Sequence, residues 1–125
     1  MKGPETIFFS EDTQIGKNVV IAGFSEINAN HVSVTIGDNC DIASFVTINA
    51  ADSHKKCVGL LDEIERKDIV IGKNVFIGSH SVVKGGANIG NFCVIGAGTI
   101  VEGVNIPDYS LVVGNPMVIK KGYYK

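Results

Sequence analysis

The sequence predicts an all-β protein that folds as a parallel β-helix, a coil of short strands stacked on one another. Three observations support this fold. An aliphatic residue recurs every six positions, a small residue recurs four positions after it, and glycine is frequent, with 15 of 125 residues. Short repeats of this kind are typical of solenoids, in which each repeat packs only on its neighbours. We therefore expect about four to five coils of 18 residues, with one long loop inserted at a corner.

The first repeating column places isoleucine or valine at the start of every six-residue unit, or hexad. The starts are Ile15, Ile21, Ile27, Ile36, Ile42, Ile48, Ile71, Ile77, Val83, Ile89, Ile95 and Val101. Because all of them are apolar and β-branched, they suit short strands whose side chains point into a shared core.

The residue four places after each start forms a second column, which is small or β-branched in nine of the twelve hexads. These nine residues are Val19, Ser25, Cys40, Val46, Val75, Ser81, Ala87, Cys93 and Thr99. A narrow core explains the column, because larger side chains would overfill it. Cys40 and Cys93 are therefore interpreted as small core residues.

The residue directly after each start reveals the length of one coil. It is glycine or alanine in two successive hexads and different in the third, at Asn28, Asn49, Lys84 and Glu102. Three hexads, or 18 residues, therefore make one turn of a triangular prism. Since stacked strands lie roughly 4.8 Å apart, four coils would be about 20 Å tall.

The distances between coils locate two insertions. From Ile15 to Ile36 the chain advances 21 residues, and from Ile36 to Ile71 it advances 35. Both insertions follow a third hexad, so they should leave the prism at the same corner. Long loops without regular structure are usually functional.

These distances also predict the domain boundaries. An N-terminal cap is expected over residues 1–14 and a β-helix domain over 15–125. Within that domain we expect the long loop at 54–70 and a C-terminal tail at 107–125.

Composition narrows the functional classes. The net charge of -2 argues against sequence-independent binding of nucleic acid, which needs a basic surface. No apolar run reaches the length of a membrane span, and the first residues, MKGPETIFF, lack the apolar region of a secretory signal. The three cysteines are odd in number and widely spaced, as expected for reduced thiols. A cytoplasmic protein is therefore predicted.

Several stretches of the chain resemble a known family. They are VTIGDN (34–39), ADSH (51–54), IVIGKNVFIGSHSVV (69–83), VIGAGTIV (94–101) and SLVVGNP (110–116). Over residues 12–121 the chain resembles the hexapeptide-repeat acyltransferases, and within them the single-domain sugar O-acetyltransferases of the galactoside, maltose and polysaccharide type. The resemblance implies a left-handed coil, a homotrimer, and acetyl-CoA bound between neighbouring prisms.

The implied reaction transfers an acetyl group from acetyl-CoA to a hydroxyl of a sugar or sugar derivative, in bacterial surface polysaccharide synthesis. His54 opens the long insertion, where the resembling enzymes keep their catalytic histidine. A neutral imidazole is a suitable general base near pH 7. Asp52 is predicted either to orient His54 or to cap the turn into the loop, and both interpretations stay open.

The resemblance also implies positions that bind the cofactor. These are Phe76, Ser79, Gly96, Ala97, Gly98, Lys120 and Lys121. Ser79 is expected to offer its backbone amide to the thioester carbonyl, and Phe76 stands where the family commonly has tryptophan along the cofactor arm. The lysine pair is expected to contact the CoA phosphates.

For the acceptor, the sequence predicts contacts from His31, at the same corner as His54, and from Ser25, the nearest equivalent of a family asparagine. His80 is interpreted as a surface or lining residue. Galactoside-type enzymes often have Thr-Lys where this chain has Glu102-Gly103, so the acceptor need not be a galactoside.

Three alternative functions are compatible with the same fold. An N-acetyltransferase acting on an amino-sugar nucleotide would depend less on His54. A zinc carbonic anhydrase uses three histidines, but the histidines here are 23 and 26 residues apart, so no metal is expected. A non-catalytic assembly subunit would leave the long loop after His54 unexplained.

Overall fold

The computed structural model describes residues 8, 9 and 12–125, so most of the predicted N-terminal cap lies outside the described residues. β1 (Phe8–Phe9) precedes the first complete coil. The first coil contains β2 (Thr13–Ile15), β3 (Val20–Ile21) and β4 (Glu26–Asn28). The second contains β5 (Val34–Ile36), β6 (Asp41–Ile42) and β7 (Thr47–Asn49).

The long insertion follows the second coil and has regular structure of its own. It contains β8 (Ala51–Asp52), α1 (His54–Cys57) and β9 (Glu65–Arg66). β8 and β9 pair antiparallel, so the insertion leaves and returns at one place. The following strand begins at Ile69, inside the range predicted for the loop, because Ile69 already pairs with Val34 of the coil below.

The remaining coils follow without an insertion. The third contains β10 (Ile69–Ile71), β11 (Phe76–Ile77) and β12 (Val82–Lys84). The fourth contains β13 (Asn88–Ile89), β14 (Val94–Ile95) and β15 (Ile100–Val101). A fifth, partial coil contains β16 (Asn105–Ile106) and β17 (Leu111–Gly114), and β18 (Met117–Lys120) folds back on β17. The ladder thus continues into the segment predicted as a tail.

Three sheets form the faces of the prism, and their strands are parallel except where β18 pairs antiparallel with β17. This arrangement confirms the predicted parallel β-helix. Face 1 has the order β2-β5-β10-β13-β16, face 2 has β3-β6-β11-β14-β17-β18, and face 3 has β1-β4-β7-β12-β15. Hexad starts pair with hexad starts, as in Ile36 with Ile71 and Ile77 with Ile95. We name the edges between faces corner 1–2, corner 2–3 and corner 3–1.

The core confirms both predicted columns. Eleven of the twelve hexad starts are buried and Ile15 is partly buried, while all nine members of the second column are buried. Ile106 and Val112 extend the core into the fifth coil. This partial coil falls within the predicted four to five, although Ile106 follows Val101 by five residues and so departs from the hexad spacing.

Close stacking of the coils explains the glycine after many starts. A Cβ atom on Gly37 would lie 2.7 Å from the carbonyl carbon and oxygen of Gly72 in the next coil. Only glycine fits there without a backbone shift.

Truncating Ile71 to alanine should lower the free energy of unfolding by about 2–5 kcal/mol, because the side chain is only 1% exposed and its loss leaves a cavity. Val70, its neighbour in β10, points outward and is 44% exposed. Val70→Ala should cost less than about 1 kcal/mol. Urea unfolding of both variants measures the difference, and equal losses would contradict the assigned inward and outward sides of face 1.

Candidate active site

The insertion at corner 3–1 carries a histidine–aspartate pair. Asp52 ends β8, Ser53 makes the turn, and His54 begins α1. The Oδ1 atom of Asp52 lies 2.7 Å from Nδ1 of the His54 ring and accepts a 3.3 Å hydrogen bond from the His54 backbone N–H. One carboxylate oxygen therefore contacts both the ring and the turn.

The contact determines which ring nitrogen is available. A carboxylate only accepts hydrogen bonds, so the neutral His54 ring carries its proton on Nδ1 and leaves the lone pair on Nε2 free. The His54 ring lowers the pKa of the Asp52 carboxyl, with a further contribution from the His54 backbone N–H. Asp52 therefore stays ionised near neutral pH. The two side chains are 61% and 46% exposed, so a substrate can reach the pair.

A polar pocket of about 290 Å³ adjoins the pair. Its lining consists of Ala50, Asp52, His54, Lys55, Glu65, Lys67, Lys84, Gly85, Glu102 and Gly103. Lys55 pairs with Glu65 at 3.4 Å and Lys84 with Glu102 at 3.3 Å. Among the described residues, no carboxylate lies within ion-pair distance of Lys67.

Lys84 and Glu102 line this pocket but were not predicted as site residues. The sequence nevertheless distinguishes their positions from the equivalent positions in the other hexads. They occupy the place after a third-hexad start, where glycine is absent. In the lower coils the same column holds Asn28 and Asn49, whose side chains are hydrogen-bonded at 3.1 Å. Polar residues repeated at one edge of a face were a signal that this edge borders a polar site.

The predicted cofactor-binding positions Ser79 and Gly96–Gly98 lie at corner 2–3. The Ser79 carbonyl accepts a 2.9 Å hydrogen bond from the Gly98 N–H. The N–H groups of Ser79 and Ala97 form no hydrogen bond with another described residue. Phe76 lies just before this corner on face 2 and is 39% exposed.

Lys120 and Lys121 lie elsewhere. Lys120 ends β18 opposite Leu111, at the start of β17, so it stands at the edge of face 2 away from Ser79. Its Nζ atom lies 5.9 Å from the centre of the Tyr123 ring. Lys121 lines a separate hollow beside Tyr109.

The two predicted acceptor contacts are also separate from the pocket. Ser25 is 2% exposed, and its hydroxyl donates to the Ala43 carbonyl at 2.9 Å, so it offers no surface to an acceptor. His31 is exposed at corner 3–1 in the first coil but does not line the pocket. The long insertion contacts the turn that contains His31, because the Arg66 side chain donates a 3.0 Å hydrogen bond to the Asn30 carbonyl.

His54 and Ser79 therefore stand at opposite edges of face 3. Strand geometry separates the two corners by about one hexad, or roughly 15–20 Å. A single chain does not bring the histidine–aspartate pair together with the predicted cofactor positions.

The described residues also bear on metal and membrane binding. Nowhere among them do three histidine, cysteine or acidic side chains gather as a metal site would require. In the same part of the chain, no helix has the length and apolar character needed to cross a bilayer.

Two family models match the chain. Residues 68–103 match one described as bacterial transferase hexapeptide (six repeats), and residues 11–50 match one described as hexapeptide repeat of succinyl-transferase. WbbJ of Escherichia coli K12, named as a lipopolysaccharide biosynthesis O-acetyl transferase, is 34% identical over 97% of this chain and 63% of its own length. The galactoside O-acetyltransferase of the same organism is 36% identical over 90% of this chain and 55% of its own length. The chain thus spans less than two thirds of either relative.

Solved structures show the same architecture. A galactoside acetyltransferase in complex with coenzyme A matches with a TM-score of 0.78 and 34% identity, over 90% of this chain and 57% of that one. A hexapeptide-repeat acetyltransferase from Vibrio cholerae O1 biovar eltor, complexed with acetyl coenzyme A, matches with a TM-score of 0.80 and 25% identity. That match covers 95% of this chain and 65% of the other.

The pKa of Asp52 should return toward the ordinary aspartate range in His54→Ala, because the ring is the main cause of its lowering. A lowered pKa in the folded state means that the contact stabilises the fold above the ordinary carboxyl pKa. That contribution is lost as the pH falls through the lowered value. Carboxyl ¹³C NMR titration measures the change, with His31→Ala as the matched control. An unchanged Asp52 titration in His54→Ala would contradict the pairing.

Proposed function

Because the chain belongs to the bacterial hexapeptide-repeat transferase family and has its left-handed parallel β-helix, we propose that it transfers an acetyl group from acetyl-CoA to a sugar hydroxyl. The observation that carries this proposal is the 2.7 Å contact between His54 and Asp52 at the mouth of a polar pocket. The likeness to WbbJ supports an acceptor in bacterial surface polysaccharide synthesis.

In the proposed reaction, Nε2 of His54 accepts the proton of the acceptor hydroxyl as its oxygen attacks the thioester carbonyl carbon. Asp52 stabilises the imidazolium that forms. The C–S bond then breaks, and His54 returns the proton to the departing CoA thiolate. The Ser79 N–H is a suitable donor for the oxygen that becomes negatively charged, because no described residue uses it.

We propose that a second copy of the chain completes the site. Corner 3–1 of one copy, which carries His54, would face corner 2–3 of the next, which carries Ser79 and Ala97. Repeating this pairing around a threefold axis closes a homotrimer. The loop supports such an assembly, since Val58 is 68% and Leu60 is 71% exposed in the single chain.

The remaining cofactor contacts follow the same arrangement. An extended CoA molecule that starts at corner 2–3 would pass Phe76 on face 2. Lys120 and Lys121, at the far edge of that face, are the proposed partners of its phosphates. We place the reaction in the cytoplasm, where the free thiols Cys40, Cys57 and Cys93 would stay reduced.

His54→Ala should lower the rate of acetyl transfer by about a hundredfold to ten-thousandfold, because it removes the general base. CoA affinity should barely change. Steady-state kinetics across sugar and amino-sugar nucleotide acceptors, with calorimetry of CoA binding, measure both effects. Cys57→Ala is the matched control, since Cys57 is the exposed thiol three residues from His54. An active His54→Ala protein with an inactive Cys57→Ala protein would replace this mechanism by a covalent one.

Light scattering should give a mass of about 40 kDa for the native protein, three times the 13.2 kDa of one chain. The mass should stay the same in His54→Ala, because the proposed contact between subunits is made by the loop and the neighbouring prism and not by the His54 ring. A monomer at micromolar concentration would contradict the shared site.

A further inference from the structure

One lysine of the pocket beside His54 has no anionic partner. Three lysines and three carboxylates line this pocket. Each carboxylate lies within ion-pair distance of a basic side chain of the same pocket, in the pairs Lys55–Glu65, Lys84–Glu102 and His54–Asp52. The lysine that remains is Lys67, whose ammonium group forms no ion pair or hydrogen bond within the described part of the chain.

The stem of Lys67 lies against the prism. The Lys67 backbone N–H donates to the Ala50 carbonyl at 3.0 Å, which fixes the returning end of the insertion. A Cβ atom on Gly85 would lie 3.4 Å from Cβ of Lys67, and one on Gly86 would lie 3.5 Å from its Cδ atom. The methylene groups of Lys67 therefore lie along two residues that lack side chains, and larger residues there would displace them.

The pairing of β8 with β9 sets the separation between this lysine and the histidine–aspartate pair. Asp52 is opposite Glu65 in the antiparallel ladder, so Lys67 comes opposite Ala50, two residues back along β8. Two residues of strand span roughly 7 Å. One sugar unit is long enough to present a hydroxyl to His54 and a second group to Lys67, and the pocket volume of about 290 Å³ suits a ligand of that size.

A sugar bound in this pocket would remove water from the Lys67 ammonium group. Taking water from a charge costs free energy unless an opposite charge replaces it. The carboxylates of the pocket already have partners, and a neutral sugar offers only hydroxyl oxygens. A carboxylate or phosphate on the sugar would supply a full negative charge and accept charge-assisted hydrogen bonds. The pocket therefore favours an acceptor that carries its own anionic group.

We propose that the acceptor is an acidic sugar, whose carboxylate or phosphate binds the Lys67 ammonium group while a hydroxyl of the same unit faces Nε2 of His54. This inference rests on the proposed function, because it names the class of acceptor for the same site. Lys67 then determines specificity, whereas the proton transfer belongs to His54.

Matched pairs of acceptors test the preference. Each pair consists of the methyl glycoside of a neutral sugar and that of its uronic acid, in the gluco, galacto and manno configurations, and the three sugar 1-phosphates form a phosphate series. The wild type should acetylate its best acidic acceptor with a kcat/KM at least about tenfold above that of the neutral counterpart. Higher rates on the 1-phosphates than on the uronic acids would support the site with phosphate as its anion. Equal rates on neutral and acidic sugars would overturn the proposal.

Substitutions of Lys67 test whether this residue causes the preference. Lys67→Met removes the charge but keeps an unbranched stem over Gly85 and Gly86, so the melting temperature should stay within about 5 °C of the wild type. The kcat/KM for the acidic acceptor should fall about tenfold to a hundredfold, while the kcat/KM for its neutral counterpart and the affinity for CoA stay unchanged. Lys67→Arg should keep the preference.

Lys73→Met is the matched control. Lys73 also lacks a carboxylate partner among the described residues, but it lies between Gly72 and Asn74 at corner 1–2. This variant should retain the acceptor preference of the wild type. Raising the ionic strength from about 0.05 M to about 0.5 M should reduce the preference of the wild type and leave Lys67→Met unaffected.

The outcomes separate this inference from the proposed function. If the wild type acetylates sugars and the acidic preference persists in Lys67→Met, or if that variant loses activity equally on neutral and acidic acceptors, the role of Lys67 is wrong and the acetyltransferase proposal stands. If the folded wild type acetylates no sugar of either kind, both are overturned. Steady-state kinetics on the assembled protein, with calorimetry of CoA binding to each variant, distinguish these results.

Discussion

The register between coils is the constraint on which the rest of the molecule depends. Ile36 and Ile71 are 35 residues apart in the chain, yet they are direct partners on face 1, and the Gly37 N–H donates to the Ile71 carbonyl at 2.8 Å. A narrow triangular core tolerates no slip, because moving one strand by one residue would turn its apolar side chains outward. Extra residues can therefore leave the prism only at a corner, where no ladder hydrogen bond is lost.

The same register holds the histidine–aspartate pair in place although the insertion is exposed. The insertion returns to the prism through backbone contacts, including the 3.0 Å hydrogen bond from the Lys67 N–H to the Ala50 carbonyl. The Ser33 N–H donates to Asp68 at 3.0 Å, which ties the returning chain to the coil below. Asp52 and His54 therefore stand on a rigid base, and the Asp52 carboxylate can hold the ring with its Nε2 lone pair outward.

The three corners of the prism carry residues of different chemical character. Asparagines occupy the lower rungs of corner 1–2, where Asn18 donates to Asn39 at 3.3 Å. Rings occupy corner 2–3, and the long insertion occupies corner 3–1. Each corner repeats one position per coil. A different residue at that position in one coil, such as Gly98 above the stacked rings, therefore leaves a local opening without disturbing the core.

The sequence by itself determined the inward columns, the corner of both insertions and the closeness of Asp52 to His54, because these follow from periodicity and short spacing along the chain. Only the tertiary structure decided which side chains from different coils meet. It placed Lys84 and Glu102 beside His54 and separated His54 from Ser79 by the width of a face. It also extended the ladder to a fifth coil past a five-residue step that breaks the hexad frame. The periodicity of the sequence indicates whether a side chain points into the core or outward. Contacts between coils depend in addition on the register in which the strands pair and on how each insertion folds back onto the prism.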